Sequence, residues 1–189
     1  MTELTDFQKK IAELLPDVEL KFSEPLAKHT SLRIGGGAEV MAFPKNAEEL
    51  AKILKTSALL DGNFAILGAG TNILAPDEGV QGLVICLKDC LGGIEPLPGH
   101  KLRVMAGVTM SRAAVVAANS GLSGLEFAHG IPGTVGGGVY MNAGAYGGEI
   151  RQVCSQVEVM NRRGERRVLT NGEMGFSYRH SVLEETGDI

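Results

Sequence analysis

A chain of 189 residues with 44% hydrophobic and 21% charged residues has the composition of a globular protein, not of a disordered segment. Its formal net charge of −4 excludes an overall basic field that would draw nucleic acid or an anionic membrane surface. No run of about 18 apolar residues exists to span a bilayer, and Met1 to Pro16 lacks the unbroken apolar stretch of a signal peptide, so a cytoplasmic protein without membrane insertion is expected.

Thr5 and Gln8 have the spacing of a capping box, and Phe7, Ile11, Leu14 and Leu15 share one face of the helix that follows. Pro16 ends it. Residues 38–43 are predicted as a strand closed by Pro44. Asn46 with Glu49 caps a second helix whose Leu50, Ile53, Leu54 and Ser57 or Ala58 face inward, and Asp61-Gly62 stops it. Phe64–Leu67 and Leu83–Leu87 are apolar runs of buried-strand length. The order strand, helix, strand, loop, strand describes an α/β lobe with at least one crossover.

A second lobe begins near residue 95. Leu102–Ala106 is predicted as a strand, and Thr109 or Ser111 starts a helix through Asn119, with Gly121 as its stop. The glycine-rich stretch 130–148 is read as loop. Val153, Ser155, Val157 and Val159 alternate with polar or small partners at strand period, and Asn161–Gly164 turns the chain into a second strand, Glu165–Leu169. The local basic run Arg162, Arg163, Arg166 and Arg167 is read as a solvated hairpin. Thr170 with Glu173 caps a short turn. The expected organisation is an N-terminal helical segment over 1–20, a first lobe over 21–94 and a second over 95–189.

Cys86, Cys90 and Cys154 form no CxxC pair, so neither a metal site nor a disulfide is expected. The unusual number is 26 glycines, clustered at 35–37, 68–70, 130–138 and 144–148. Several such clusters beside strand or helix signals suit a backbone that approaches a long ligand. The common nucleotide fingerprints fail. Gly68-Ala-Gly70-Thr-Asn-Ile73 follows a strand, but Ile73 holds the third glycine position of a Rossmann loop and Pro76 breaks the required helix. Val139 stands where a P-loop needs lysine, and Gly121-Leu-Ser123-Gly-Leu125 lacks the last glycine of a nucleophile elbow. What remains is a glycine loop in each lobe with almost no positive charge. Thr71, Asn72, Thr134 and Asn142 add side chains able to hydrogen-bond a pyrophosphate, a ribityl chain or a ring edge.

The strings His29-Thr-Ser-Leu-Arg-Ile-Gly-Gly36, Gly68-Ala-Gly-Thr-Asn-Ile-Leu74, Gly130-Ile-Pro-Gly-Thr-Val-Gly-Gly137, Met141-Asn-Ala-Gly-Ala-Tyr-Gly-Gly-Glu-Ile150 and Phe176-Ser-Tyr-Arg-His-Ser181 occur in this order. Together they resemble the FAD-binding region of the UDP-N-acetylenolpyruvoylglucosamine reductases, from about residue 21 onward. More distantly they are similar to flavoproteins of the vanillyl-alcohol-oxidase type.

The resemblance implies an α+β fold made of a two-lobed α/β FAD-binding domain. It implies non-covalent FAD as cofactor, held by Gly68, Ala69, Gly70, Thr71, Asn72 and Ile73 on the pyrophosphate side. Gly130, Pro132, Gly133, Thr134, Gly136, Gly137, Asn142 and Ala143 would lie on the ribityl and ring side. It implies NADPH as electron donor, a UDP-sugar enolpyruvyl ether as substrate, and a role in peptidoglycan synthesis. Arg179 matches the family's active-site arginine, and Tyr178 beside it is a candidate substrate contact. His129 and His180 are read as local structure, no acid partner being visible in the sequence. The family's serine acid and glutamate lie in a C-terminal substrate domain with no counterpart before Ile189, so the chain is read as a catalytically incomplete FAD-binding part. A flavoprotein oxidase of the same superfamily and a non-catalytic flavin-binding module are the alternatives.

Overall fold

A computed structural model describes residues 3–88 and 90–189, so Met1 and Thr2 of the expected N-terminal segment lie outside the described residues. The chain forms two compact units: residues 1–90 with 162–164, and residues 91–161 with 165–189.

The first unit opens with α1 (Asp6–Leu14), whose capping box is complete: Thr5 Oγ1 accepts from Gln8 N at 3.2 Å and Gln8 Oε1 accepts from Thr5 N at 2.9 Å. The buried face runs through Gln8, Ile11 and Leu15, while Leu14 is 40% exposed, contrary to expectation. Gln8 takes an inward place because its Nε2 donates to Glu39 O at 2.8 Å, which satisfies the amide on burial.

Four strands follow: β1 (Glu19–Pro25), β2 (Gly37–Phe43), β3 (Phe64–Leu67) and β4 (Val80–Cys86), in the spatial order β1-β2-β4-β3. β1 is antiparallel to β2; β2 and β3 both run parallel to β4. Val40, Met41 and Ala42 are buried in succession, as are Leu83–Cys86, because strands inside a mostly parallel sheet are covered on both faces. The edge strand β1 alternates exposed and half-buried residues and ends in Pro25. It carries no apolar run, which is why the sequence reading lacks it. Helix α2 (Ala47–Leu59) connects β2 to β3; Asn46 Oδ1 accepts from Glu49 N at 2.8 Å, and Leu50, Ile53, Leu54 and Ser57 are buried as expected. Ala58 is exposed.

His29 Nε2 lies 3.0 Å from Glu24 Oε1, and this hydrogen bond, ahead of the nearby Lys28 charge, holds the Glu24 carboxyl below its ordinary value of 4.5. A depressed folded pKa contributes stability present above the unfolded value and lost as pH falls through the folded one. Glu24→Gln is therefore expected to lower Tm at neutral pH and to converge with the wild type as pH falls below about 4.5, which flattens the acid limb of the Tm-versus-pH profile. An unaltered acid limb would contradict this.

The second unit begins with the hairpin of β5 (Ile94–Leu97) and β6 (Lys101–Val104). β5 contains Pro96, which hides it from pattern reading. Helix α3 (Met110–Asn119) starts on Thr109, whose Oγ1 accepts from Arg112 N at 3.3 Å. The stretch read as loop contains a helix, α4 (Val135–Tyr140), and a two-rung ladder of β7 (Gly144–Ala145) with β8 (Gly148–Glu149). β9 (Gln156–Met160) and β10 (Arg166–Thr170) form the expected hairpin, although Val153 closes a 3-10 turn and not a strand. Thr170 N donates to Glu173 Oε2 at 2.7 Å, as its spacing implies, and a short α5 (Leu183–Thr186) follows. Met110, Phe127, Val139, Ile150, Val159, Leu169, Met174 and Leu183 make the core.

The four arginines of the basic run are exposed, as expected of a solvated hairpin, and they also have partners. Arg162 stacks over the Phe64 ring at 5.0 Å, Arg166 lies 3.7 Å from Glu158, and Arg167 pairs with the buried Asp188. The three cysteines are free thiols, and burial pushes the Cys154 thiol up. Among the described residues no helix is long and apolar enough to cross a membrane.

Candidate functional site

In the first unit, Gly68–Ile73 leaves the carboxyl end of β3, which is where open α/β sheets present ligand loops. The connection from β3 to β4 joins parallel neighbours without a helix, so residues 68–79 must be seated by other means. The segment His29–Gly37 seats them. Ser31 N donates to Gly70 O at 3.0 Å and Gly36 N donates to Pro76 O at 2.9 Å. A Cβ on Gly36 would overlap Asp77 O, and one on Gly70, already at φ +62°, would overlap His29 O. Gly70 is buried by this packing, whereas Thr71, Asn72 and Ile73 stand exposed as a hydroxyl, an amide and an apolar edge on an uncharged loop. Gly70 is thus the packed anchor of the loop, and the residues after it form its outer surface.

In the second unit, Gly130 and Pro132 are exposed, Gly133 turns at φ +134°, and Thr134 caps α4 by accepting from Gly137 N at 3.4 Å. The first-turn amides of α4 are already used. Val135 N donates to Val108 O at 2.7 Å, Gly136 N to Ala106 O at 2.9 Å and Gly138 N to Thr134 O at 2.8 Å. These amides are committed within the protein and are not offered to a ligand. The glycines serve packing on one side: a Cβ on Gly136 would meet Ala106 Cβ at 2.9 Å, and one on Gly138 would meet Met110 Sδ at 2.7 Å. They explain why a helix forms from a sequence of poor propensity, since the capped turn can press against α3 and the β6–α3 loop. Gly137 differs. It is exposed, and a Cβ there would find only Thr134 Oγ1, at 3.5 Å, within 4 Å.

Asn142 also differs from expectation. It is buried, and its Nδ2 donates to Glu149 Oε2 at 2.7 Å and to Ser177 O at 2.9 Å, while Oδ1 accepts from Arg151 N at 3.0 Å. Both amide protons are committed inside the protein, so its side chain organises loops and has no donor left for a cofactor. Ala143, beside it, is half-buried.

Ser177 and His180 close a tight turn by reciprocal backbone bonds of 3.2 and 3.3 Å. Arg179 sits in it at φ +52°, exposed, and Tyr178 is 91% exposed, which removes a packing role for that ring. His180 does have acid partners, invisible to linear reading as a site: Nδ1 lies 2.8 Å from Glu184 and Nε2 lies 3.5 Å from Glu185 on α5. The residues that sequence reasoning missed are Glu149, Arg151 and Ser181, none of which stands out by spacing alone.

Each unit thus presents a surface of small side chains suited to part of a nucleotide. Thr71 and Asn72 edge the first with a hydroxyl and an amide, whereas Thr134 and Asn142 of the second are buried and leave Gly130, Pro132 and Gly137 at its surface. Thr71, Asn72, Ile73, Gly130, Pro132 and Gly137 are the exposed members of the set expected to hold FAD.

A family model described as an FAD-binding domain matches residues 38–170. The chain is 45% identical over 172 residues to the UDP-N-acetylenolpyruvoylglucosamine reductase of Lactobacillus acidophilus, covering 91% of this chain and 57% of that protein. It is 42% identical over 176 residues to the reductase of the same name from Caldanaerobacter subterraneus, covering 93% and 58%. Among solved structures, the reductase from Thermus caldophilus superposes with a TM-score of 0.70 at 35% identity, over 91% of this chain and 59% of that one. Glucooligosaccharide oxidase from Acremonium strictum shares the fold alone, with a TM-score of 0.65 at 13% identity over 89% of this chain and 37% of that one. The chain spans less than two thirds of the length of the reductases it matches. With the matched model extending from β2 to β10, the chain belongs to the FAD-binding domain family.

Proposed function

We propose that this chain is the FAD-binding part of an NADPH-dependent reductase acting on the enolpyruvyl group of UDP-N-acetylglucosamine enolpyruvate, in the cytoplasm, toward cell-wall precursor synthesis. The observation that carries the reading is Arg179: an exposed guanidinium in a left-handed turn that is tied by hydrogen bonds to the end of the glycine-rich helix α4. The names of the similar reductases support it.

FAD, when bound, supplies the two-electron redox chemistry. Hydride addition beside a carboxylate places negative charge on that carboxylate in the transition state. Arg179 offers a planar, bidentate, positively charged donor that is set in place before the reaction. Tyr178 presents an aromatic face beside it for the substrate. Gly130, Pro132 and Gly137 offer a surface without projecting side chains, against which a flat ring can lie.

The test is anaerobic addition of NADPH to FAD-loaded protein extended to the relatives' full length. Loss of the visible flavin absorption, restored by the enolpyruvyl sugar without air, is expected. Absorption that survives NADPH, or that returns only on admitting O₂, would contradict the reading; the second result would favour an oxidase.

A further inference from the structure

The turn that carries Arg179 is held from both flanks by one end of α4. On the near flank, Asn142 Nδ2 donates to Ser177 O at 2.9 Å. On the far flank, Ser181 Oγ, fully buried, donates to Tyr140 O at 2.8 Å. Tyr140 is the last residue of α4 and Asn142 follows its cap, so both anchors belong to a single short stretch.

Asn142 is itself fixed. It stands at φ +42°, with its backbone N donating to Val139 O at 3.2 Å. Its second amide proton goes to Glu149 Oε2, and the other oxygen of that carboxylate accepts from Arg151 Nε at 2.5 Å. Ser177 O accepts from both Asn142 Nδ2 and His180 N, filling both lone pairs of one carbonyl. Asn142 and Ser181 are the buried members, and moving either would leave a buried polar group unpaired.

The geometry points to Asn142 and Ser181 as positioning residues for Arg179. They fix the Tyr178-Arg179 turn in register with the surface of α4, so that the guanidinium and the ring-binding face move as one body. This rests on the reading that Arg179 lies beside the flavin. It goes further in assigning its placement to two residues that touch neither substrate nor cofactor.

The experiment is the reduction potential of bound FAD, measured by dye equilibration for the wild type, Arg179→Ala, Asn142→Gly and the double variant. Glycine accepts φ +42° without strain, so Asn142→Gly removes the side-chain bonds alone. A fixed positive charge near the flavin favours the more negative reduced form, so Arg179→Ala is expected to lower the potential. Asn142→Gly is expected to lower it in the same direction, and the double variant to fall no further than Arg179→Ala. Ser181→Ala, which loosens the turn from the other side, is expected to act likewise and is the variant to read if Asn142→Gly does not retain FAD. If Arg179→Ala leaves the potential unchanged, Arg179 is not beside the flavin, and the functional reading itself fails. If Arg179→Ala lowers it while Asn142→Gly or Ser181→Ala matches the wild type, the positioning role is overturned and the functional reading stands.

Discussion

Arg179→Ala, measured in a form extended to the relatives' full length, is expected to slow reoxidation of the reduced protein by the enolpyruvyl sugar by at least about 10²–10³, the usual cost of losing one preorganised charge-stabilising donor. Reduction by NADPH is expected to continue at a rate within a few-fold of wild type, because that step builds no charge on the sugar's carboxylate. The asymmetry follows from the position of Arg179. It stands exposed on a turn whose backbone bonds, between Ser177 and His180, do not involve its side chain. Rapid-mixing measurements of the two half-reactions separate these outcomes. Equal loss in both would make Arg179 a holder of the fold or the cofactor.

The second large effect is a reversal of sign between adjacent glycines. Gly136→Val is expected to lower the melting temperature of the FAD-free protein, because its Cβ has Ala106 Cβ at 2.9 Å and Ala106 O at 3.2 Å before any methyl is added. Overpacking of this kind typically costs about 1–3 kcal/mol. Gly137→Ala is expected to do the opposite. It sits in the first turn of α4 with open space around its Cβ, and replacing a helical glycine by alanine contributes about 0.5–1 kcal/mol. FAD affinity is nonetheless expected to fall at Gly137, where the methyl enters the ligand's space. Thermal melts of the apoprotein beside FAD titrations decide it. A Gly137→Ala protein that binds FAD as tightly as wild type would remove α4 from the cofactor surface.

Much of the fold is legible where a local signal coincides with a tertiary one. Thr5 with Gln8, Asn46 with Glu49 and Thr170 with Glu173 all form the caps their spacing implies, since a cap needs only its own neighbours. β4 is readable because a buried parallel strand is continuously apolar, and β3, at the sheet edge with Ala65 exposed, is readable from its four-residue apolar run. The elements that escape are those whose reasons are distant. β1 is a strand because β2 needs a neighbour, and β5 tolerates Pro96 because its partner β6 supplies the pairing. α4 is helical despite its three successive glycines because Gly136 and Gly138 let it close on Ala106 and Met110.

The candidate site divides the same way. The ordered motifs name the right segments, but not which residue faces outward. Asn142, whose amide suggested a ligand contact, spends it on Glu149 and Ser177. Gly36, far from Pro76 along the chain at about 130 Å of extended strand by the roughly 3.3 Å rise per residue, proves to be a seat for the loop after β3.

Non-covalent binding of FAD underlies both the candidate site and the proposed chemistry. The direct measurement is flavin release: load the protein with FAD, remove the excess, precipitate the chain with acid and read the supernatant. The account predicts a yellow protein that yields its flavin quantitatively to the supernatant as unmodified FAD. Flavin that stays with the precipitate would contradict the non-covalent cradle, and a protein that retains no flavin after loading would contradict the site itself.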